Sequence, residues 1–288
     1  MNYLIVSDSS SNLFQKEGVP YCSVPMKIIA GEKEYTDTPQ LDLAGMVEDL
    51  KKFKGRSGSS CPNVQDWLDA FGDADRIFAV TISKNLSGSF NSAREAAAQY
   101  MEKHPDRKVC VLDTMSAGPE QAMLIDRLAQ LMEEGLDFET IRDQALEYNS
   151  RTHILFCLES LTNLARNGRV SPAVAAIAGV LNIRIVGNAQ NGQIVPVHKS
   201  RGQKKAMQAL VDMLVERGLR EGCLVRVAHC FGEAQAQAFK EAVEARVPGC
   251  RFIIEPTTAL CSFYAEAGGL MIGFEGNYNT ENHNQDFE

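Results

Sequence analysis

The side chains best placed for chemistry in this chain are hydroxyls. In Ile82-Ser83-Lys84-Asn85-Leu86-Ser87-Gly88-Ser89-Phe90-Asn91-Ser92-Ala93 they crowd the point where a buried strand hands over to a helix. Such a handover gathers free backbone amides and hydroxyl donors, an anion-binding arrangement with no built-in base to activate a nucleophile. Gly88 lets backbone come close to a ligand, while Ser87 or Ser89 can equally serve as simple caps of the first helical turn. A second hydroxyl group, Ser57-Gly58-Ser59-Ser60, also precedes a helix, with Pro62 suited to its first position. Were the two to converge, neutral donors and helix amides would hold a carboxylate without a buried salt bridge. Spacing alone does not pair them.

Other chemistries lack their residues. No Gly-x-Gly-x-x-Gly follows the first strand, and neither a Walker A loop nor a Gly-x-Ser-x-Gly elbow occurs. The five histidines stand apart and the eight cysteines form no Cys-x-x-Cys pair, so no metal ligand set is expected. Asp8 is followed by Ser9-Ser10 rather than by the Asp-x-Asp of a phosphoryl acceptor, and reads as an acceptor for its own serine-rich loop. A net charge of -8 argues against non-specific binding to nucleic acid or anionic membranes. No apolar run approaches the roughly 20 residues of a membrane helix, and the start does not resemble a signal peptide. With cysteines that read as reduced core thiols, the expected compartment is the cytoplasm.

The elements that would position the hydroxyls are legible. Arg76 to Ile82 is a near-continuous apolar run, expected of a strand covered on both faces, and Ala93, Ala96, Ala97 and Tyr100 form the stripe of the helix after it. Strands at Tyr3 to Val6, Val24 to Ile29 and Lys108 to Asp113 alternate with helical spacing, and the loops after three strands are rich in Asp, Ser and Thr. In an open α/β sheet that rim is where ligands sit. Lys54 to Cys61 reads as a flexible loop by composition. Asn191-Gly192 predicts a hairpin turn, and Ala173 to Val180 a small-residue helix able to line a cavity or to pack closely on the sheet. The fold class expected is α/β with two domains: a mainly parallel sheet in residues 1–158, a second α/β domain in 159–276, and a frayed tail in 277–288.

At these residues the chain resembles the DegV family of fatty-acid-binding proteins. The resemblance rests on Val6-Ser7-Asp8-Ser9-Ser10, Val24-Pro25 and Leu86-Ser87-Gly88-Ser89-Phe90-Asn91-Ser92-Ala93. It continues in order through Asn167-Gly168-Arg169-Val170-Ser171, Leu181-Asn182-Ile183-Arg184 and Lys199-Ser200-Arg201-Gly202. It implies a non-enzymatic protein that holds one long-chain fatty acid in a tunnel between its domains, with no other cofactor, and presents it to a separate fatty-acid kinase. Ser59, beside Ser60, then falls where the family has a threonine contacting the carboxylate. Ser87 falls at the other contact, with the Gly88 amide and Ser89 beside it, and Arg169 and Arg201 match basic positions near the carboxylate. The family's Gly-x-His-x-Gly-Pro-Gly segment aligns with Ser262 to Gly269, so Tyr264 takes the place of its histidine, and Glu266 nearby would oppose an anion. From the residues themselves, an enzyme acting on a small carboxylated or phosphorylated metabolite at the same serine rim stays open.

Overall fold

Alternating apolar side chains build the first sheet and assign a helix to each face of it. The computed structural model of the chain describes residues 2–178 and 182–279. The first unit contains β1 (Tyr3–Asp8), β2 (Tyr21–Val24), β3 (Lys27–Ala30), β4 (Lys33–Thr36), α1 (Leu43–Lys52), β5 (Ser57–Ser60), α2 (Val64–Phe71), β6 (Arg76–Thr81), α3 (Ser89–Lys103), β7 (Lys108–Asp113), α4 (Pro119–Glu133) and α5 (Phe138–Asn149). Four of its strands form a parallel sheet in the order β2-β1-β6-β7. Along β6, Phe78 and Val80 pack toward α4 and α5, whereas Ile77 and Ala79 pack toward α2 and α3 with Trp67 and Ala96. Caps set the helix starts. Asn63 Oδ1 accepts from Asp66 N at 3.0 Å while Asp66 Oδ2 accepts from Asn63 N at 2.8 Å, and Asp137 Oδ1 accepts from Thr140 N at 3.0 Å.

The second unit adds β8 (Thr152–Leu158), α6 (Thr162–Arg166), α7 (Pro172–Ala178), β9 (Ile183–Gln190), β10 (Gln193–Arg201), α8 (Gln203–Glu216), β11 (Leu224–His229), α9 (Glu233–Arg246), β12 (Arg251–Pro256), α10 (Ala259–Ala265) and β13 (Leu270–Glu275). Its sheet runs β10-β9-β8-β13-β11-β12, antiparallel except for the β11–β12 pair. One face packs on α8 and α9 through Leu210, Leu214, Phe239 and Phe274. The other face, with Phe156, Leu158 and Ile185, looks toward the first unit.

Four expectations change. Residues 57–60 are a strand, because β5 pairs with β3 in a small antiparallel sheet, β4-β3-β5, that supplies the partners its composition does not predict. The strand expected at Val24 to Ile29 is two strands, broken at Pro25. β8 was placed in the first domain by a boundary after residue 158, yet it pairs with β9 and β13 inside the second sheet. Residues 277–279 of the expected tail are docked: His153 Nε2 donates to Asn277 O at 2.9 Å, and Asn279 Nδ2 donates to Thr152 O at 2.8 Å. Residues 280–288 lie outside the described residues, as do 179 and 180 of the small-residue helix. Among the described residues no helix is long and apolar enough to cross a membrane, and none of the eight cysteines is in a disulfide.

Candidate functional site

The C-terminal ends of β1, β6 and β7 share one rim, and a single carboxylate organises it. Asp8, fully buried, accepts from Ser89 Oγ at 2.6 Å, Ile82 N at 3.0 Å and Gln121 Nε2 at 3.0 Å, and also from Ser10 Oγ. Burial pushes its carboxyl above the usual carboxylate range, and these donors oppose that rise. The turn between β6 and α3 is thereby fixed at both ends, by Ile82 and by Ser89. The one hydroxyl proton of Ser89 goes to Asp8, and Ser89 is in neither cavity lining. Ser87 faces outward, accepting only from Ser89 N at 3.3 Å through Oγ, and lines a cavity.

A second buried carboxylate holds the opposite wall. Asp37, in the loop after β4, accepts from Ala259 N at 2.8 Å, Leu260 N at 3.1 Å and Ser9 Oγ at 2.8 Å. It thus caps α10 from outside that helix, and burial raises its carboxyl as well. α10 carries Leu260, Cys261 and Tyr264 to the same cavity. Neither Asp37 nor the helix it caps was expected from sequence; the only local signal was Thr258 at the cap position, whose side chain makes no cap bond.

The two hydroxyl groups do converge. Ser59 on β5 lies 2.7 Å from Tyr264 through their hydroxyl oxygens, and both line the cavity with Ser87. A Cβ on Gly88 would sit 3.3 Å from Cys61 Sγ, so Gly88 allows the turn and the end of β5 to touch. Arg169 joins them: its Nε donates to Leu86 O at 3.2 Å and its guanidinium lies 5.8 Å from the Tyr264 ring centre. Ser60, the next residue of the strand, points to the other side of β5 and is not in the lining. Arg201 is exposed at the end of β10 and lines no part of the cavity. Glu266 is in neither lining, and its Oε1 accepts from Asn163 N at 3.1 Å at the start of α6.

Beyond these polar groups the space is mostly apolar and has two parts, about 530 and about 490 Å³ when the solvent they open to is counted in. They share Leu86, Ala117, Leu164, Ile194, Tyr264 and Met271, so they adjoin, and residues from both units line them. The first contains Ser59, Ser87, Arg169 and Tyr264; the second adds Ile154, Phe156, Leu158, Ala189 and Ala265. Residues 172–176 of α7 are in neither lining, and Val174 and Ala175 pack on the neighbouring core.

In the first turn of α4 sits Glu120, 1 % exposed, whose Oε1 accepts from Thr152 Oγ1 at 2.8 Å. Burial pushes its carboxyl up to about 7, whereas burial holds the neighbouring His153 imidazole down at about 4. The signs oppose. Glu120 favours folding below its unfolded value near 4.5, and that contribution is lost as pH rises through about 7. His153 favours folding above its unfolded value near 6.5, and that contribution is lost as pH falls through about 4. Relative to the parent, Glu120→Gln should therefore gain about 3 kcal/mol of stability between pH 4.5 and pH 7. Urea unfolding at three pH values within that window checks this; a constant difference between the two proteins would place the ionisation elsewhere.

Fold and site together define a two-unit α/β protein with a mostly apolar cavity between the units and hydroxyls gathered in one part of it. The chain belongs to the DegV family: the model described as "Uncharacterised protein, DegV family" matches residues 2–276. A DegV domain-containing protein of Streptococcus pneumoniae is 39% identical over 280 residues, spanning 96% of this chain and 99% of the relative. Among solved structures, a DegV family protein from Eubacterium eligens loaded with heptadecanoic acid superimposes with a TM-score of 0.93 at 38% identity, covering 95% of this chain and 99% of that one. The Streptococcus pneumoniae Fatty Acid Kinase (Fak) B3 protein loaded with linoleic acid gives a TM-score of 0.93 at 38% identity, covering 96% and 100%.

Proposed function

We propose that this protein binds one long-chain fatty acid and presents it to a separate fatty-acid kinase, as a binding protein and not as the catalyst. The carboxylate is held by the hydroxyls of Ser59, Ser87 and Tyr264, with Arg169 alongside, and the acyl chain lies through both compartments. The observation that carries this reading is a pair of adjoining, mostly apolar spaces lined by both units, with Ser59, Ser87 and Arg169 gathered in one of them and Tyr264 facing both. At about 0.8 kcal/mol per buried methylene, a chain of ~14 to 16 methylenes contributes on the order of 10 kcal/mol before ordering costs. A small polar metabolite would gain nothing from those walls, which disfavours an enzyme of such a substrate at the same rim. The relatives loaded with heptadecanoic and linoleic acid support the ligand class, and the Fatty Acid Kinase B3 relative supports the partner. The eight unpaired thiols support a cytoplasmic setting.

The paired hydroxyls of Ser59 and Tyr264 turn from each other to an anion at little cost, since each proton is free to rotate. Native mass spectrometry of the freshly purified protein should show one co-purifying acyl acid; none, together with no binding after delipidation, would sink the proposal. Ser87→Ala should weaken binding by about 1 to 3 kcal/mol, the cost of one hydrogen bond to a charged group. Isothermal titration with palmitic and oleic acids reads that loss, and unchanged affinity would move the carboxylate elsewhere.

A further inference from the structure

The β9–β10 hairpin reaches across from the second unit and ends on the turn that carries Ser87. Ser83 Oγ donates to Gly192 O at 2.7 Å and Asn85 Nδ2 donates to Asn191 O at 2.7 Å. Asn191 and Gly192 both have positive φ, +49° and +69°, and a Cβ on Gly192 would overlap Ser83 Oγ and lie 3.3 Å from Met115 Cε. The tip is therefore seated closely on the turn. Two residues beyond it, Ile194 lines both compartments, so the hairpin covers the space between them. β9 and β10 stay paired with each other as far as Gln190 and Gln193, but their pairing with the rest of the sheet stops earlier. The ladder with β8 runs from Ile185 only to Asn188, and β10 has a register irregularity between Pro196 and His198. Residues 189–195 thus extend past the last β8 pair as a two-stranded ribbon with a bulge in β10 at its base.

We infer that this hairpin tip is the lid of the cavity, latched by Ser83 and Asn85, and that a ligand enters and leaves when the latch opens. The inference rests on the proposed fatty-acid binding. Separating the two units is the alternative route, and it requires breaking the buried Arg226–Asp126 ion pair, whereas Ser83 and Asn85 hold the hairpin tip by neutral hydrogen bonds. Neither Ser83 nor Asn85 lines the cavity, so they act on the rate of exchange and not on the strength of holding. Ser83 and Asn85 are positioning residues in this sense.

The test uses the full chain, delipidated and reloaded with oleic acid, with transfer to phosphatidylcholine vesicles giving the dissociation rate and stopped-flow loading the association rate. Asn85→Ala, at an exposed position, and Ser83→Ala/Asn85→Ala should accelerate both rates, the double variant by about 5- to 30-fold, and leave the dissociation constant within about threefold. Thermal melting confirms that each variant is folded, and the single variant carries the test if the double one is not. Rates equal to the parent's overturn the lid. Faster dissociation at an unchanged association rate overturns it as well, and makes the hairpin a ligand contact. Failure of the parent itself to bind oleic acid defeats the fatty-acid reading, an outcome distinct from either.

Discussion

Arg226→Ala should lower the unfolding free energy by about 3 to 5 kcal/mol, the range for breaking a buried ion pair from one side. The side chain of Arg226 is 5% exposed, on β11 in the interior of the second sheet. Its guanidinium grips Glu255 on β12 through two bonds of 2.8 Å and Asp126 on α4 at 2.6 Å, and Lys16 completes the set at 2.7 Å from Asp126. Two cations thus meet two carboxylates, and removing the better-buried cation leaves Glu255 with no partner in the network. Asp126 makes the contact consequential, because α4 belongs to the first unit and begins just after Ala117 in the cavity wall. Arg226→Lys should recover less than half of the loss, since a point charge cannot reproduce the fork on Glu255. Raising salt should not substitute for the pair, because buried charges are little screened. Urea denaturation measures the midpoint and slope of each variant, and a loss below about 1 kcal/mol would mean that the pair behaves like a solvated surface bridge.

The parts of this molecule written in local patterns were readable, and the parts made by distant pairings were not. The β6–α3 turn was legible because a doubly covered strand and an alanine stripe flank it. The hairpin at Asn191-Gly192 was legible because positive φ restricts the residues that fit. β5 was not: Ser57-Gly58-Ser59-Ser60 has no strand propensity of its own and is extended because Ile28 and its neighbours on β3 supply the ladder. α10 was hidden for a similar reason, since its cap is Asp37, 222 residues away from Ala259. The clamp itself joins Ser59 to Tyr264 across 205 residues, and only the family resemblance placed both near one carboxylate. Ser60 and Ser89 show the limit of counting hydroxyls. Strand alternation turns Ser60 away, and Asp8 claims the proton of Ser89.

Asp8 is the position where stability and binding should fail together. Asp8→Ala removes the acceptor shared by Ser10, Ser89, Gln121 and the Ile82 amide, and should cost about 3 to 5 kcal/mol, because these donors are buried and only the hydroxyls can turn to new partners. Asp8→Asn is the sharper probe. The two carboxylate oxygens each face an N–H donor, Ile82 N on one side and Gln121 Nε2 on the other, so an amide in either orientation sets its NH2 against one of them. The expected loss is about 1 to 3 kcal/mol in urea unfolding, with the fold retained. Ile82 and Ser89 bracket the turn that presents Ser87, so the same isosteric change should weaken fatty-acid binding although Asp8 lines no part of the cavity. A variant carrying both Asp8→Asn and Ser87→Ala separates the two roles. If Asp8 acts by placing Ser87, the second substitution adds little to the binding loss caused by the first, and the deficits fall short of additive. Full additivity in binding, with the stability loss intact, would show that the carboxylate holds the fold without aiming the hydroxyl.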